Sequence, residues 1–293
     1  MAFLSNLVNG ISLGSIYAMI ALGYTMVYGI AKMLNFAHGD VIMVGAYLAF
    51  CASQYWGFPP IVALLIAMAA CTVLGMTIEK LAYAPLRQAT SLAVLITAIG
   101  MSYLLQNLAL LIWGANPKVF PDLIGLDSVH LFDGQLVIKG ATLVTIAANI
   151  VIMLVLTLFI NRTKMGKAMR CVSEDRGAAE LMGINVNRTI SVTFAIGSCL
   201  AAVAGFLLCS SYPILTPTTG SMPGIKAFTA AVFGGIGSIP GAMLGGILLG
   251  IIEILGKAYI STELGDAIVF AVLIIVLLVR PSGLLGKPQR EKV

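Results

Sequence analysis

Glu253 and Lys257 stand four residues apart inside an otherwise apolar run. On a helix that spacing puts a carboxylate and an ammonium on one face, where each can neutralise the other. Two readings stay open. The pair can be structural, or Glu253 can line a solute route, because charges at membrane depth face a cavity or another subunit. His38 and Asp40 lie at the first break in the apolar pattern, in LNFAHGD. There they can cap the following helix or contact the coupling region near the inner interface; His38, with Asn35, can also border a solute path.

Other chemistry is missing from the sequence. Gly250 and Gly256 have five residues between them, and no GxxxxGK[ST] run exists to cradle ATP phosphates. No HExxH or GxSxG run occurs, and the two histidines, His38 and His130, fall on opposite sides of the threading given below. The five cysteines form no CxxC pair, which argues against a disulfide framework or a zinc site. The chain therefore reads as a non-catalytic protein with no cofactor of its own.

The elements that must position these residues are written in the composition. Of the 293 residues, 59% are hydrophobic and 10% are charged, against about 25% charged in a soluble domain. This is an integral membrane chain, read as one transmembrane domain over 1–293. The formal charge of +5 does not point to nucleic acid, because the basic residues lie between apolar runs and not on one soluble face. The first 31 residues lack a basic side chain, so no cleavable signal is expected.

Apolar runs cover roughly 8–30, 41–52, 61–79, 91–113, 141–160, 189–209, 226–237, 241–258 and 264–279. They predict an all-α polytopic bundle of about eight or nine membrane segments. The runs 41–52 and 226–237 are too short to span ~30 Å of hydrocarbon, so they predict half-helices or helices ending in polar flanks. With the N-terminus outside and sides alternating, thirteen basic residues fall inside. Four fall outside: Lys118, Lys139, Lys226 and Lys257. That bias sets the orientation and puts the C-terminus in the cytoplasm. The outside loop 114–140 contains VHLFDGQLVI, whose alternation around Asp133-Gly134 predicts a small β-hairpin. It can be a lid over the helix ends or a docking edge.

Small residues recur late in the chain. Gly241/Gly245 and Gly246/Gly250 have GxxxG spacing, as do Gly10 and Gly14. In lipid, such spacing lets helix backbones approach closely, within a chain or between subunits. Gly234-Gly235-Ile236-Gly237-Ser238-Ile239-Pro240-Gly241 interrupts two apolar runs. A Gly/Pro interruption points to a translocation route, and it also suits a tight connection at the cytoplasmic surface.

The inside loop 161–188 holds nine of the 29 charged residues. Ser173 can cap a helix with Glu174 and Asp175 in its first turn, and Gly183 can end it in the left-handed conformation. The expected helix is Glu174 to Met182, with Ala178, Leu181 and Met182 on one face. So short a helix needs a surface to lie against. The loop can be solvated and serve only topology, or it can present this face to a cytoplasmic partner that moves it.

Ala178-Ala179-Glu180-Leu181-Met182-Gly183 resembles the "EAA" loop of bacterial ABC importer permeases. Arg176-Gly177 departs from that pattern, and no Leu-Pro follows. Three segments resemble the branched-chain amino acid branch of the family more closely. They are Leu34-Asn35-Phe36-Ala37-His38-Gly39-Asp40, Glu174 through Ile184, and Gly234 through Ala242. The similarity runs nearly end to end, and the length fits the smaller permease subunit.

The resemblance implies a permease subunit of an importer for Leu, Ile and Val in the bacterial inner membrane. It implies a second related permease, two cytoplasmic ATPase subunits carrying ATP and Mg, and a periplasmic solute-binding protein. It gives Glu174, Asp175, Ala178, Ala179, Glu180, Leu181, Met182 and Gly183 an ATPase-coupling role. Asn35, His38, Gly234, Gly235, Gly237 and Glu253 are the route candidates. A self-sufficient secondary transporter or channel using Glu253 stays open, as does an ABC permease for another small solute such as urea or amides.

Overall fold

The computed structural model describes residues 2–131 and 136–286. Among these the chain is almost entirely helical. The long helices are α1 (Ala2–Ala31), α2 (His38–Gln54), α3 (Pro60–Ile78), α4 (Ser91–Trp113), α5 (Gly140–Arg162), α8 (Val186–Ser211), α9 (Ser221–Gly234), α10 (Ile239–Tyr259) and α11 (Gly265–Val279). Two short helices, α6 (Lys164–Glu174) and α7 (Arg176–Leu181), join α5 to α8. Six helices are long and apolar enough to cross a membrane: α1, α3 with its extension to Leu86, α4, α5, α8 and α10. The chain is a multi-pass membrane protein.

Successive helices run between two ends of the bundle. One end carries α6 and α7, and is called here the coupling end. Arg176 of α7 donates to the carbonyl of Ala31 at the end of α1. Arg87 reaches Asn187 at the start of α8, and Leu284 N donates to Phe233 O at the end of α9 (2.9 Å). The opposite end carries two small sheets. Strands β2 (Val129–Leu131) and β3 (Leu136–Ile138) pair antiparallel, with Leu131 opposite Leu136. The predicted Asp133-Gly134 turn between them lies outside the described residues. Strands β1 (Lys118–Val119) and β4 (Ile214–Leu215) also pair, tying the 114–139 segment to the α8–α9 connection. That second pairing has no signal in the sequence, because two-residue strands carry no periodicity.

Helix α1 is the axis of the bundle and is buried along most of its length. It packs antiparallel on α10 through the glycines. A Cβ on Gly14 would stand 2.7 Å from Ile247 Cα, and one on Gly10 would stand 2.9 Å from Ile251 Cα. Gly246 meets the backbone of Ala18, and Gly250 that of Gly14. The Gly10/Gly14 and Gly246/Gly250 repeats therefore form an internal contact. Gly241 and Gly245 face the other way, onto Gly234 and Ala230 of α9. Helices α2 and α8 complete the core, with Gly45 against Ala202. Helices α4, α5 and α11 turn leucines and isoleucines outward, including Leu111, Leu158 and Leu278, as lipid-facing or subunit-facing surfaces require.

Candidate functional site

The 161–188 segment is two helices, not one. Thr163 caps α6 by accepting from Gly166 N (3.0 Å), and Gly166, Met169 and Val172 bury one face. The chain then breaks at Asp175, which is extended (φ −154°, ψ 116°). Its Oδ1 accepts from Ala178 N (3.1 Å) and caps α7. The expected helix from Glu174 with a Ser173 cap is thereby corrected. Ser173 Oγ donates back to Arg170 O within α6, and Glu174 ends that helix. An Asp is as good a cap as a Ser, and both were present; the choice falls on Asp175 because Lys164–Glu174 already form a helix of their own.

Helix α7 closes as expected at Gly183 (φ +79°). Ile184 N donates to Ala179 O (3.0 Å) and Gly183 N to Glu180 O (2.9 Å), which is the paired bonding of a Schellman turn. Two residues later Asn185 caps α8, accepting from Arg188 N (2.9 Å). Ala179 is buried against the bundle, while Ala178 and Glu180 face out. Leu181 is 90% exposed and Met182 82% exposed. Helix α7 is thus a short rod, tied at both ends, that shows two large apolar side chains to solvent. Burial and the neighbouring Arg87 charge pull the Arg176 guanidinium below its ordinary pKa.

The route candidates occupy three separate places. Gly234, Gly235 and Gly237 form the α9–α10 turn at the coupling end. Gly235 (φ +103°) and Gly237 (φ +94°) hold backbone angles that L side chains rarely adopt. Ser238 caps α10 through Gly241 N (3.2 Å). The segment after α11 lies over this turn: Leu285 N donates to Gly234 O (3.0 Å), and Gly286 presses on Gly235.

Glu253 lies towards the opposite end and is 1% exposed. Its Oε1 accepts from Lys257 Nζ (2.6 Å) and Lys226 Nζ (2.7 Å), and its Oε2 accepts from Tyr17 OH (2.9 Å). Lys226 also reaches Asp266 Oδ1 (2.6 Å). Two carboxylates and two ammoniums balance in charge across α9, α10 and α11, and Tyr17 adds α1. The threading counted Lys226 on the outside, at the first residue of the 226–237 run; it is instead buried in the second turn of α9. The apolar-run boundary misplaced it, since α9 begins five residues earlier, at Ser221.

Asn35 and His38 meet at the α1–α2 break. Asn35 Oδ1 accepts from Tyr83 OH (2.9 Å). His38 is buried, its ring against Gly23 of α1 and Gly197 of α8. Gly23 is eight residues inside the coupling end of α1, so α2 starts ~12 Å into the bundle, not at the interface. Ala37 occupies the N-cap position with no side-chain cap bond, so neither His38 nor Asp40 caps α2. The carboxylate of Asp40 instead accepts from Gln106 Nε2 of α4 (2.9 Å).

The sequence reading missed Gln106, Asp266, Tyr17 and Glu79. Glu79 is fully buried in a π-helical turn (Glu79–Tyr83) that extends α3. It is paired with Arg87 and accepts from Ser191 Oγ of α8 (2.6 Å). Its signal was its place at the edge of the 61–79 run.

Residues 6–277 match the family described as branched-chain amino acid transport system / permease component. The chain belongs to that permease family. It is 47% identical over 313 residues to the high-affinity branched-chain amino acid transport system permease protein LivH of Escherichia coli (strain K12), covering 99% of this chain and 98% of that one. It is 45% identical to the permease protein BraD of Pseudomonas aeruginosa, again over 99% and 98%. Among solved structures, PsaBC from Streptococcus pneumoniae in complex with Fab gives a TM-score of 0.49 at 15% identity over 96% of this chain and 93% of that one. As a member of this permease family, the chain is a transport component.

Proposed function

We propose that this chain is a permease subunit of an ATP-driven importer for branched-chain amino acids (Leu, Ile and Val) in a bacterial inner membrane. The observation that carries this reading is the 47% identity, at 99% coverage, to a permease protein named for that transport. In this reading two cytoplasmic ATP-binding subunits, with ATP and Mg, dock on the coupling end. A periplasmic solute-binding protein delivers the solute at the opposite end, and a second, related permease completes a heterodimer. The N-terminus is outside and the C-terminus cytoplasmic, which the excess of basic residues at the coupling end supports.

The mechanism starts from the exposure of Leu181 and Met182. A partner groove that buries them grips α7 between its two capped ends. Asp175, Ala178, Ala179, Glu180 and Gly183 set the shape of the gripped rod, and Glu174 sets its approach from α6. When ATP closes the partner pair, α7 moves and α8 follows, joined to it by only four residues, 182–185. Coupling requires that the nucleotide states hold the two arrangements of the bundle with different affinity. Asn35 and His38 border the solute path beside the deep start of α2, and the Gly234–Gly237 turn lets α9 and α10 move apart.

The runner-up, a self-sufficient secondary transporter, would use Glu253 as an ion-coupling carboxylate. Both oxygens of Glu253 are already held, by two lysines and a tyrosine, which favours the structural role.

The deciding experiment reconstitutes the chain in liposomes, alone and with its partner permease, ATPases and binding protein. ATP-dependent uptake of labelled leucine is expected only from the full assembly. Concentrative uptake by the chain alone would overturn the reading.

A further inference from the structure

Two short helices meet head to head inside the bundle. Helix α2 has 17 residues and α9 has 14, about 25 Å and 21 Å long, less than the ~30 Å of a bilayer core. Helix α2 is entered from the coupling end and α9 from the opposite end, yet both begin at depth. Their first turns touch, backbone on backbone. A Cβ on Gly39 would stand 2.7 Å from Gly220 O, and one on Gly224 would stand 2.9 Å from Gly39 Cα. A single side chain spans the junction. Gln106 Nε2 donates to Asp40 Oδ1 of α2 (2.9 Å) and to Ser221 Oγ of α9 (3.2 Å). Gln106 is seven residues inside the end of α4, ~10 Å from it. Polar groups at that depth are costly and seldom idle.

We propose that this junction is the closed gate of the solute route and that Gln106 is the positioning residue that latches it. The inference rests on the permease reading above and adds to it the place where passage is blocked. Irregular backbone at depth is tolerated where protein buries it or where it lines a path, and here two such starts block each other, glycine against glycine. Any separation of α9 from α2 must break one arm of the Gln106 clasp. Beside the clasp, the rings of Tyr24 and Phe36 each lie 5.7 Å from the ring of Phe228. They are apolar walls suited to an aliphatic side chain once the glycines part.

The test uses the complete transporter in liposomes loaded with labelled leucine and without ATP. Gln106→Glu sets a carboxylate against Asp40, and Ser221→Ala removes one arm. Leucine efflux is expected to rise about tenfold in Q106E and about threefold in S221A, as loss of one or two hydrogen bonds shifts a closed–open equilibrium. Entrapped sucrose should stay inside, which separates a gate leak from a broken bilayer. A residue that only packs the helices would lower assembly without raising this ATP-free flux. Wild-type efflux in either variant, with normal assembly and normal ATP-driven uptake, overturns the gate. If Q106E does not assemble, S221A decides alone. A wild-type assembly that imports no branched-chain amino acid with ATP overturns the permease reading, and the gate falls with it.

Discussion

Leu181 and Met182 give the docking hypothesis a magnitude. In the free chain they are 90% and 82% exposed, so they add almost nothing to the stability of the bundle. If a partner groove buries them, each contributes in proportion to the apolar surface removed from water. Truncating either to Ala removes about three carbon-sized groups at ~0.8 kcal/mol each, or ~2.4 kcal/mol at full burial. Rim positions are rarely fully covered, and half burial of both leaves ~2.4 kcal/mol for the pair. That is roughly a fiftyfold loss of affinity for the ATPase subunit. The double variant Leu181→Ala/Met182→Ala should therefore bind purified ATPase about fiftyfold more weakly in nanodiscs, while its thermal unfolding stays within 1 °C of wild type. Binding within threefold of wild type would refute the claim that this apolar tip is the grip. A lowered unfolding temperature would show instead that the two side chains pack within the bundle.

Asp175→Ala should cost α7 about 1 kcal/mol of order, the usual loss of a cap, seen as faster amide exchange at Ala178 with exchange in α8 unchanged. Gly183→Pro cannot adopt the φ of +79° found there and should uncouple ATP hydrolysis from uptake in the assembled transporter; full uptake would argue against α7 as the handle. Lys226→Met leaves Glu253 buried beside Lys257 and Tyr17 while Asp266 loses its ammonium. Glu253 keeps Lys257 and Asp266 is half-exposed, so the cost falls below the ~3–5 kcal/mol of a fully broken buried pair; unfolding in detergent should still occur at a lower temperature, whereas Lys226→Arg should keep most of the loss from appearing. Gly250→Val forces a side chain onto the Gly14 backbone and should separate α1 from α10, read as lost assembly; normal assembly would contradict the close contact.

The helices were legible because membrane length and apolarity are properties of a single run of residues. The nine runs correspond to the nine longest described helices, with ends displaced by up to six residues, as at the start of α1 and where the flank Ser221–Ile225 joins α9. Gly183 was legible for the same reason, since its role needs only its own backbone. Asp175 was not. Cap choice depends on where the preceding helix ends, and α6 runs on to Glu174. What the sequence could not show was which polar residues face one another. Gln106, Asp40 and Ser221 lie on three helices, and nothing in their local spacing links them. Lys226 looked like a loop residue because a charge usually marks the end of an apolar run; here Glu253 and Asp266 neutralise it inside. The Glu253–Lys257 pair was visible through its spacing, but the two partners that hold Glu253 from α1 and α9 were not.

These polar contacts also explain how glycine-rich helices find one register. In lipid, small residues let backbones approach, but close approach does not select an alignment. Sliding α10 by four residues, ~6 Å, would carry Gly246 to the place of Gly250 and Ala242 to that of Gly246, still small against small along Gly10, Gly14 and Ala18. Such a slide would also pull Glu253 away from Tyr17 and Lys226, leaving Glu253 only Lys257 and Lys226 only Asp266. That penalty is less than the ~3–5 kcal/mol of a fully broken buried pair, but it still separates two nearly equivalent glycine alignments. The same logic holds at the coupling end, where Glu79 joins α3 to α8 through Arg87 and Ser191. Glycine spacing makes the bundle close-packed, and a few buried charges decide which close packing it is. A shift of α8 driven through α7 is thus resisted at Glu79, and the motion that remains open must keep that pair intact while releasing the single hydrogen bond at Ser221.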